Sequence, residues 1–537
     1  MTSARQLRDE LVQLTRADPK GARRQISMEV VVESLFYRLL NHPEELEAFE
    51  ALTWLAYEKQ HQLRALAPGY THRNVALTWD AAHRTWQWPP NHYATYDAMV
   101  ADGLPGIHVV GECWGMSKIT HPKRGGGLLL SGDPASVLGP RVRWSTPGRK
   151  HVRCLLGATW GEVNDFLDLS KTRNLENQPG FEGLTVAGNL GTGGHGSGLG
   201  LGPLSSMARQ IVLGPVTPGG EPVTFDRQHA DFDYVATHLG RLGPVVEIDL
   251  DLREVYNIAE ERQIRVLGRN GTWQEDLHAL VAEAVALQAQ PDVHSAEIWI
   301  APYVDDGELV TAFGVRRRTT DPISTDTKRP SVLRCEALQA LGRFVAIIVA
   351  SLQPKWIRPV LRQTVKATKT PRVVMSARHG LDFGAPNVNR MGAIEMAMDI
   401  SKRADGTPII TVIDKLAELA RKKDRYVFAP MGVRFVGAGP DRGLSPHVGR
   451  KKTMHIEIPT FGDDETFHGD EVLAPLQRAL AKLDGRPHWG QRIYLSTAEL
   501  SRLWPASEIA GMKRVVQRLD PHNVFANVLV DPVLGIS

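Results

Sequence analysis

A chain of 537 residues, 42% of them hydrophobic and 23% charged, is too long for one ordinary core and reads as a globular protein of two domains plus an extension. The net charge of +3 comes from 63 basic and 60 acidic residues scattered among one another, so electrostatics give no support to a nucleic-acid or membrane-surface partner. The three cysteines, Cys113, Cys154 and Cys335, are odd in number and far apart, which argues against a disulfide framework. With no apolar run near the ~20 residues that cross a bilayer and no signal-peptide core at the start, a cytoplasmic setting is expected.

In chain order, residues 1–70 read as a helical extension. Leu7, Leu11 and Leu14 recur at helical spacing, Glu44 to Leu66 is helix-like in composition, and Pro68-Gly69 ends the run. Its expected role is packing or oligomerisation. From Thr71 the texture changes to short β-rich runs separated by Gly and Pro, such as Gly106 to Gly111, Gly127 to Leu130 and His151 to Leu156, with a helix over Trp160 to Leu169. Val245 to Leu252 alternates apolar and acidic residues, a strand with one buried face, and the domain 71–252 ends on it. The remainder, 253–537, mixes strands (Ser295 to Tyr303, Lys452 to Pro459) with helices (Ile409 to Lys422, Glu471 to Leu483), which predicts an α+β domain with a second sheet.

Thr185 to Ser206, TVAGNLGTGGHGSGLGLGPLSS, is the most informative segment. Glycines without Cβ allow positive φ and let successive backbone N–H groups surround phosphate oxygens, while Thr192, Ser197 and Ser205 add hydroxyls. The segment is neither a GxGxxG dinucleotide fingerprint nor a Walker loop, because it lacks a strand–turn–helix unit with a later acid and lacks a closing Gly-Lys-Ser/Thr.

Flanking motifs narrow it. The loop resembles the TxAGxxxTGxHGxG stretch of the vanillyl-alcohol oxidase superfamily, on Thr185, Gly188, Thr192, Gly193, Gly194, His195, Gly196, Ser197 and Gly198, with Leu204 and Ser205 following. Upstream, Gly111, Glu112, Cys113, Trp114, Gly115, Met116 and Ser117 occupy the place of that superfamily's GxGHS loop. Downstream, Leu239 to Glu247, with Gly243 and Val245, is similar to its LGxLGVVxE segment. GRPHWG at 485–490, LDPHNVFAN at 519–527, Arg434 in MGVRF with Leu444-Ser445-Pro446 after it, and His455 to Pro459 resemble the sugar-1,4-lactone and alditol oxidase branch. The resemblance implies a PCMH-type two-subdomain FAD-binding domain followed by an α+β substrate (cap) domain, with residues 485–537 returning to the flavin. It also implies hydride transfer from a CH–OH group to FAD, with electrons passed to O2 or another acceptor.

Several positions depart from the family pattern. Trp114 stands where many members have the histidine that bonds FAD, so a non-covalent cofactor is expected. Pro244 removes a backbone donor, Gly432 replaces an acid, and Gln491 replaces a lysine. The candidate catalytic residues implied by the resemblance are Arg434, His455, Glu457, His488 and Gln491, His488 also lining the cofactor. Arg434 has a solvent-facing strand end as its alternative reading, and the same-face pair His455 and Glu457 a hydrated sheet surface. Gly194 is expected to leave space over the flavin. No metal is assigned, since His447, His455 and His468 match no familiar ligand spacing, and Arg316-Arg317-Arg318 reads as solvated surface. A flavin-binding protein with lost or redirected catalysis and a biosynthetic oxidase of larger alcohols remain as alternative readings.

Overall fold

The computed structural model describes residues 140–214, 220–324, 357–382, 391–461 and 468–536, with 108–111, 115–120, Lys355 and the short strands at 78–80, 85–87, 92–93 and 128–130. The expected N-terminal extension, most of the region up to 139, and Glu112, Cys113 and Trp114 lie outside the described residues.

One antiparallel sheet of five strands is built from β1 (Val142–Trp144), β2 (His151–Leu155), β3 (Ala208–Leu213), β4 (Val223–Asp226) and β5 (Val245–Asp251), in the spatial order β4-β3-β5-β2-β1. Its core gathers Val152, Trp160, Val163, Leu190, Ile211, Ile248 and Leu250. Helix α1 (Trp160–Ser170) starts on a capping box, in which Thr159 accepts from the Glu162 backbone and Glu162 reaches back to Thr159. The anchor of α1 is Trp160, wholly buried, with its indole donating to Asn189 Oδ1 at 3.1 Å. Parallel pairing joins Leu128–Leu130 to both His92–Tyr93 and His108–Val110 in a separate small sheet.

The second sheet has eight strands: β6 (Asn257–Leu267), β7 (Val293–Ile300), β8 (Leu309–Thr319), β9 (Thr370–Ser376), β10 (Met391–Asp399), β11 (Met431–Gly437), β12 (Lys452–Phe461) and β13 (Arg486–Pro487). They run antiparallel in the order β9-β6-β8-β7-β11-β12-β10-β13. Four helices are prominent in this half of the chain: α3 (Trp273–Leu287), α4 (Ile357–Ala367), α5 (Thr407–Lys423) and α6 (Gly469–Ala481). Leu277, Leu361, Ile409, Leu416, Leu473 and Leu480 from these helices enter a common core with Ile298, Ile394, Met396 and Ile456 of the strands. Each such side chain removed from water contributes on the order of 1.5–3 kcal/mol, before conformational entropy is charged against it. Arg316 sits in this sheet and not on its surface as its basic run suggested. Strand β8 runs between β6 and β7, and the Arg316 guanidinium, 3% exposed, meets Glu297 Oε1 at 2.7 Å.

Two features tie the sheets together. The glycine-rich segment, which reads as one long loop, contains a short helix, α2 (Val186–Gly191), and a 3-10 turn at Leu204–Met207. Burial of Val186 and Leu190 in the first core overrides the poor helix propensity of Gly188 and Gly191. Beyond α2 the segment runs along β11: Gly198 N donates to Phe435 O at 2.6 Å and Gly437 N to Leu201 O at 2.7 Å. Gly198 takes φ +134°, and a Cβ there would fall 2.4 Å from His294 O, so only glycine fits.

The second tie is the C-terminal segment. After β13, Trp489 stacks on Trp504 and both join the core of the five-stranded sheet, as do Met512, Val515 and Val516 of helix α7 (Ala506–Leu519). Arg241, with no exposed surface, holds this segment through Asp531 (2.6 Å), Asp520 and Asn523 (2.7 Å). Asp520 in turn accepts from Val524 N and Phe525 N, and Asn527 donates to Ile119 O at 2.7 Å. Within the LDPHNVFAN run, Asp520 and Asn527 are thus buried and hydrogen-bonded on more than one side.

Candidate active site

At the junction of the glycine segment and the eight-stranded sheet lies a cluster of buried ionisable groups centred on Glu395. This residue is the one charge inside the apolar run 393–398 of strand β10, between Ile394 and Met396, and is 2% exposed. Its Oε1 receives His195 Nε2 at 2.8 Å, Arg434 Nη2 at 3.1 Å and His455 Nδ1 at 3.3 Å. The register explains the convergence: Glu395 pairs with Glu457 across β10–β12, and Arg434 pairs with His455 across β11–β12. These pairs therefore sit side by side on one face, and the glycine segment lays His195 over them.

Glu457 is the other carboxylate. Its Oε2 lies 3.3 Å from Arg434 Nη2, and its Oε1 accepts from Gln491 Nε2 at 3.4 Å. Unlike Glu395 it keeps 33% of its side chain exposed, so it opens onto a space while Glu395 is sealed. The two acids are driven apart electrostatically. Burial raises the carboxyl of Glu457 above the usual range, against the pull of Arg434 and with the help of Glu395's charge. Burial also opposes ionisation of Glu395, but Arg434 and His195 prevail and hold it well below that range.

Gly432 adds a feature that the sequence alone conceals. In the β11–β12 register Gly432 is the direct partner of Glu457, and among the described residues the only atom within 4 Å of a Cβ at Gly432 would be Glu457 Oε2, at 3.9 Å. A carboxylate thus reaches the place beside Arg434 from the facing strand. The missing acid at position 432 is offset by an acid one strand away.

Four histidines complete the cluster. The His195 and His455 rings lie 3.7 Å apart, His488 stands edge-on to His195, and His447 Nε2 meets His455 Nε2 at 3.0 Å. His488 sits at the end of β13, with its Nδ1 accepting from Gly490 N, and burial lowers its pKa to about 3. Burial likewise lowers His447 and His455, the latter well below its usual value. His455, 0% exposed, is therefore not on a hydrated sheet surface, and Arg434 is not on a solvent-facing strand end. His468 lies apart, against Glu471 on α6.

His195, Glu395 and His488 bring one potential ligand atom each within 4.8 Å of the others. Arg434 already occupies the same carboxylate oxygen, and its charge opposes a cation there. The set carries no metal assignment.

Several of the residues expected to hold the cofactor contact one another or the HWG run. Ser117 Oγ donates to Trp489 O at 2.6 Å and Met116 N to Gly490 O at 2.7 Å, which joins the upstream loop, including Gly115, to the HWG run. Gly111 packs on Thr185, where a Cβ would come within 2.2 Å of Oγ1, and Thr185 caps α2 by accepting from Gly188 N. Thr192 donates back to the Gly188 and Asn189 carbonyls. Gly193 takes φ +77° against Pro446, Gly196 packs on Asn177, and Gly243 takes φ +108° just before the buried Val245. Leu204 N bonds Gly194 O, and Ser205 donates to Asp441.

Gly194 does not face open space, as expected from sequence. A Cβ there would strike the Asn189 side chain at 2.2 Å and its carbonyl at 2.6 Å, so the glycine is demanded by packing. Ser197 Oγ, Ser206 Oγ and Thr237 Oγ1 are buried without a hydrogen-bond partner among the described residues. Unpaired buried hydroxyls beside a glycine cradle suit a polar, phosphate-bearing group such as FAD.

Glu395, His447 and Asp441 escaped the sequence reading as site residues. A single acid inside Ala393-Ile394-Glu395-Met396-Ala397 was the available signal, since an unpaired carboxylate is not tolerated in such a strand.

Residues 279–533 match the family described as D-arabinono-1,4-lactone oxidase. The chain is 24% identical over 373 residues to alditol oxidase of Streptomyces sp. (strain IKD472 / FERM P-14339), covering 67% of this chain and 75% of that protein. It is 25% identical over 363 residues to L-gulono-1,4-lactone dehydrogenase of Mycobacterium tuberculosis (strain ATCC 25618 / H37Rv), covering 67% and 76%. In fold it is similar to cholesterol oxidase from B. sterolicum, with a TM-score of 0.59 at 16% identity over 82% of this chain and 93% of that one. A solvent-stable cholesterol oxidase gives 0.61 at 14% identity, over 84% and 94%.

Fold and similarity together place the chain among FAD-dependent oxidoreductases with a PCMH-type flavin-binding fold. Within that class its similarity is to D-arabinono-1,4-lactone oxidases, whose family pattern residues 279–533 match. No helix among the described residues is long and apolar enough to cross a membrane.

Proposed function

We propose that the protein oxidises a CH–OH group of a sugar lactone, alditol or related alcohol, with Glu457 as the base that takes the hydroxyl proton. The observation that carries this reading is the register partnership of Gly432 and Glu457, which restores a carboxylate beside Arg434. When bound, FAD supplies the acceptor for the substrate hydride. Arg434, held by two carboxylates, presents its remaining N–H groups to the oxygen that gains charge as the hydroxyl proton leaves. Glu395 is enclosed and acts as the anchor that fixes Arg434, His195 and His455. Gln491 steadies Glu457 by a neutral hydrogen bond where relatives place a charge.

In this reading, Gly111 and Gly115 to Ser117, the glycine segment 185–205, and Gly243 to Val245 hold the cofactor, which Trp114 in place of histidine leaves non-covalently bound. The flavin-binding part ends near residue 252, and the part from 253 covers the substrate. The setting is cytoplasmic and the electron acceptor is O2 or another oxidant.

The open space over Gly432 favours a substrate larger than the smallest alditols, which gives the reading of a larger alcohol a specific footing. A protein that binds flavin without catalysis draws on the same glycine, but the facing carboxylate removes its main support. The test is anaerobic addition of alditols, aldonolactones and bulkier secondary alcohols to the purified yellow protein. Bleaching of the flavin band by one of these classes is the expected result. A flavin that stays oxidised with all of them sinks the proposed activity, and flavin retained in an acid precipitate sinks the non-covalent assignment.

A further inference from the structure

Behind Glu395 the polar cluster does not stop. His455 and His447 continue it, and beyond them lie Asp441, Ser445 and Ser205, every one at most 3% exposed. The line runs from Glu395 Oε1 to His455 Nδ1 (3.3 Å), from His455 Nε2 to His447 Nε2 (3.0 Å), and from His447 Nδ1 to Asp441 Oδ2 (3.5 Å). Ser445 Oγ stands beside the last gap, 3.4 Å from His447 Nδ1 and 2.6 Å from Asp441 Oδ2. The groups beyond His455 are buried, and no contact among the described residues joins them to Glu457.

Counting protons gives the line a function. Two neutral imidazoles that meet through their Nε2 atoms share one hydrogen, so one ring donates and the other is bare at that atom. The donating ring is then bare at Nδ1, and its partner carries Nδ1–H. With His447 donating, His455 directs Nδ1–H at Glu395 and His447 leaves a bare Nδ1 towards Asp441. With His455 donating, both ends are reversed. The two states differ by transfer of one proton along the line, and the net charge is the same in each.

We propose that His455 and His447 form a proton relay that connects the Glu395–Glu457 carboxylate pair to Asp441, at the far side of the glycine segment. The proposal rests on the oxidase reading above for the source of the proton. In the transfer, the O–H that Glu457 gains from the substrate breaks and an O–H forms on ionised Glu395; that O–H then breaks and Nδ1–H forms on His455. Nε2–H of His455 breaks and Nε2–H forms on His447. Nδ1–H of His447 breaks and the O–H forms on Asp441, or on Asp441 through Ser445. One proton enters, one leaves, and no electron moves.

Glu457 feeds the line through Glu395, its register partner, with which it shares Arg434 Nη2. Arg442, next in the chain to Asp441, is half-exposed and bonds the backbone of Asp233, so the far end lies close to the surface. The groups facing the relay are His195, His488, Arg434 and Glu457 at the Glu395 end, and Arg450 and Asp441 at the His447 end.

The test uses the FAD-loaded full chain labelled with nitrogen-15 in histidine, read by long-range proton–nitrogen correlation between pH 5 and 9. A relay requires that the His447 and His455 nitrogens report one shared Nε2 proton and change state together at one pH. His447→Ala, and His447→Gln as the variant that keeps a polar side chain in place, are expected to shift the His455 nitrogens. Separate titrations of the two rings, or His455 nitrogens unmoved in both variants, overturn the proposal.

A second arm measures turnover with whichever alcohol bleaches the flavin. His447→Gln loses about tenfold or more in kcat near neutral pH with an unchanged visible spectrum, and in His447→Ala, which also lowers Tm, added imidazole restores part of the same loss. Full turnover in His447→Ala also overturns the relay. If no alcohol reacts, the oxidase reading fails, and the histidine spectra alone decide whether the two rings share a proton.

Discussion

Two buried charge clusters in this protein are built from similar parts and differ in how completely they are closed. Around Arg241 the guanidinium meets Asp520, Asp531 and Asn523, the two aspartates are wholly buried, and Asp520 also caps two backbone amides. Around Glu395 one carboxylate oxygen is shared among Arg434, His195 and His455, the last at a long 3.3 Å, Gln491 Oε1 has no hydrogen-bond partner among the described residues, and Glu457 remains one-third exposed. The first cluster leaves Asp531 Oδ2 unpaired among the described residues but is sealed from solvent, and it fixes a chain segment. The second leaves capacity unused where a ligand is to be met, and its carboxyl groups are pushed in opposite directions. Closure marks structure, and incompleteness at the junction of two sheets marks chemistry.

Substitutions at the two clusters sharpen this contrast. Arg241→Leu leaves two buried carboxylates without their cation, and an unfolding free energy lower by about 3–5 kcal/mol is expected in denaturant titration. Restored packing with unchanged stability would contradict the fixing role of Arg241. Glu457→Gln removes the base while keeping shape, so turnover of the bleaching alcohol is expected to fall about 10²–10⁴-fold while Tm stays nearly constant. Equal losses of stability at both sites would erase the distinction.

Moving the acid back gives a smaller, positive effect. Gly432→Glu combined with Glu457→Gln places a carboxylate on the other side of the same register pair, and turnover is expected to recover by about tenfold over Glu457→Gln alone. The pH dependence separates the clusters further. Because Glu457 is raised, kcat/KM increases with pH along an acid limb lying above the ordinary glutamate range, and Glu457→Gln removes that limb.

The last prediction concerns stability at acid pH. His488 and His294 (each lowered to about 3) and His238 (to about 4) are held neutral by burial. Their folded pKa values lie below the unfolded one, so their contribution is complete above about pH 6.5 and declines as pH falls towards 4. Each histidine contributes up to about 1.4 kcal/mol per pH unit. A Tm that is flat from pH 7 to 4.5 would show that these rings do not stay neutral.

Local signals carried much of the fold. The strand at Val245–Asp251, the helices at Trp160–Ser170 and Thr407–Lys423, and the strand at Lys452–Phe461 lie where periodicity expects them, to within a few residues. The resemblance singled out Arg434, His455, Glu457, His488 and Gln491, and these residues do converge. Glu395 and the meaning of Gly432 were hidden for one reason: both depend on which strands become neighbours. Spacing along a chain shows which face of a strand a residue occupies, but not what stands opposite it. The same limit explains Arg316, whose basic neighbours suggest solvent while its strand runs inside a sheet. Gly194 shows a different limit, since sequence cannot tell a glycine that makes room for a ligand from one that makes room for Asn189.

The bridge between Gly198 and Val436 bears on how molecules enter. Because backbone hydrogen bonds fasten the glycine segment to the edge of β11, the floor that would carry a cofactor and the roof over a substrate are riveted at that point. A clamshell motion would have to unzip those bonds on every cycle. Traffic is therefore expected through side-chain or segment movements around a stiff frame, with the Gly198 rivet setting the fulcrum about which any breathing takes place.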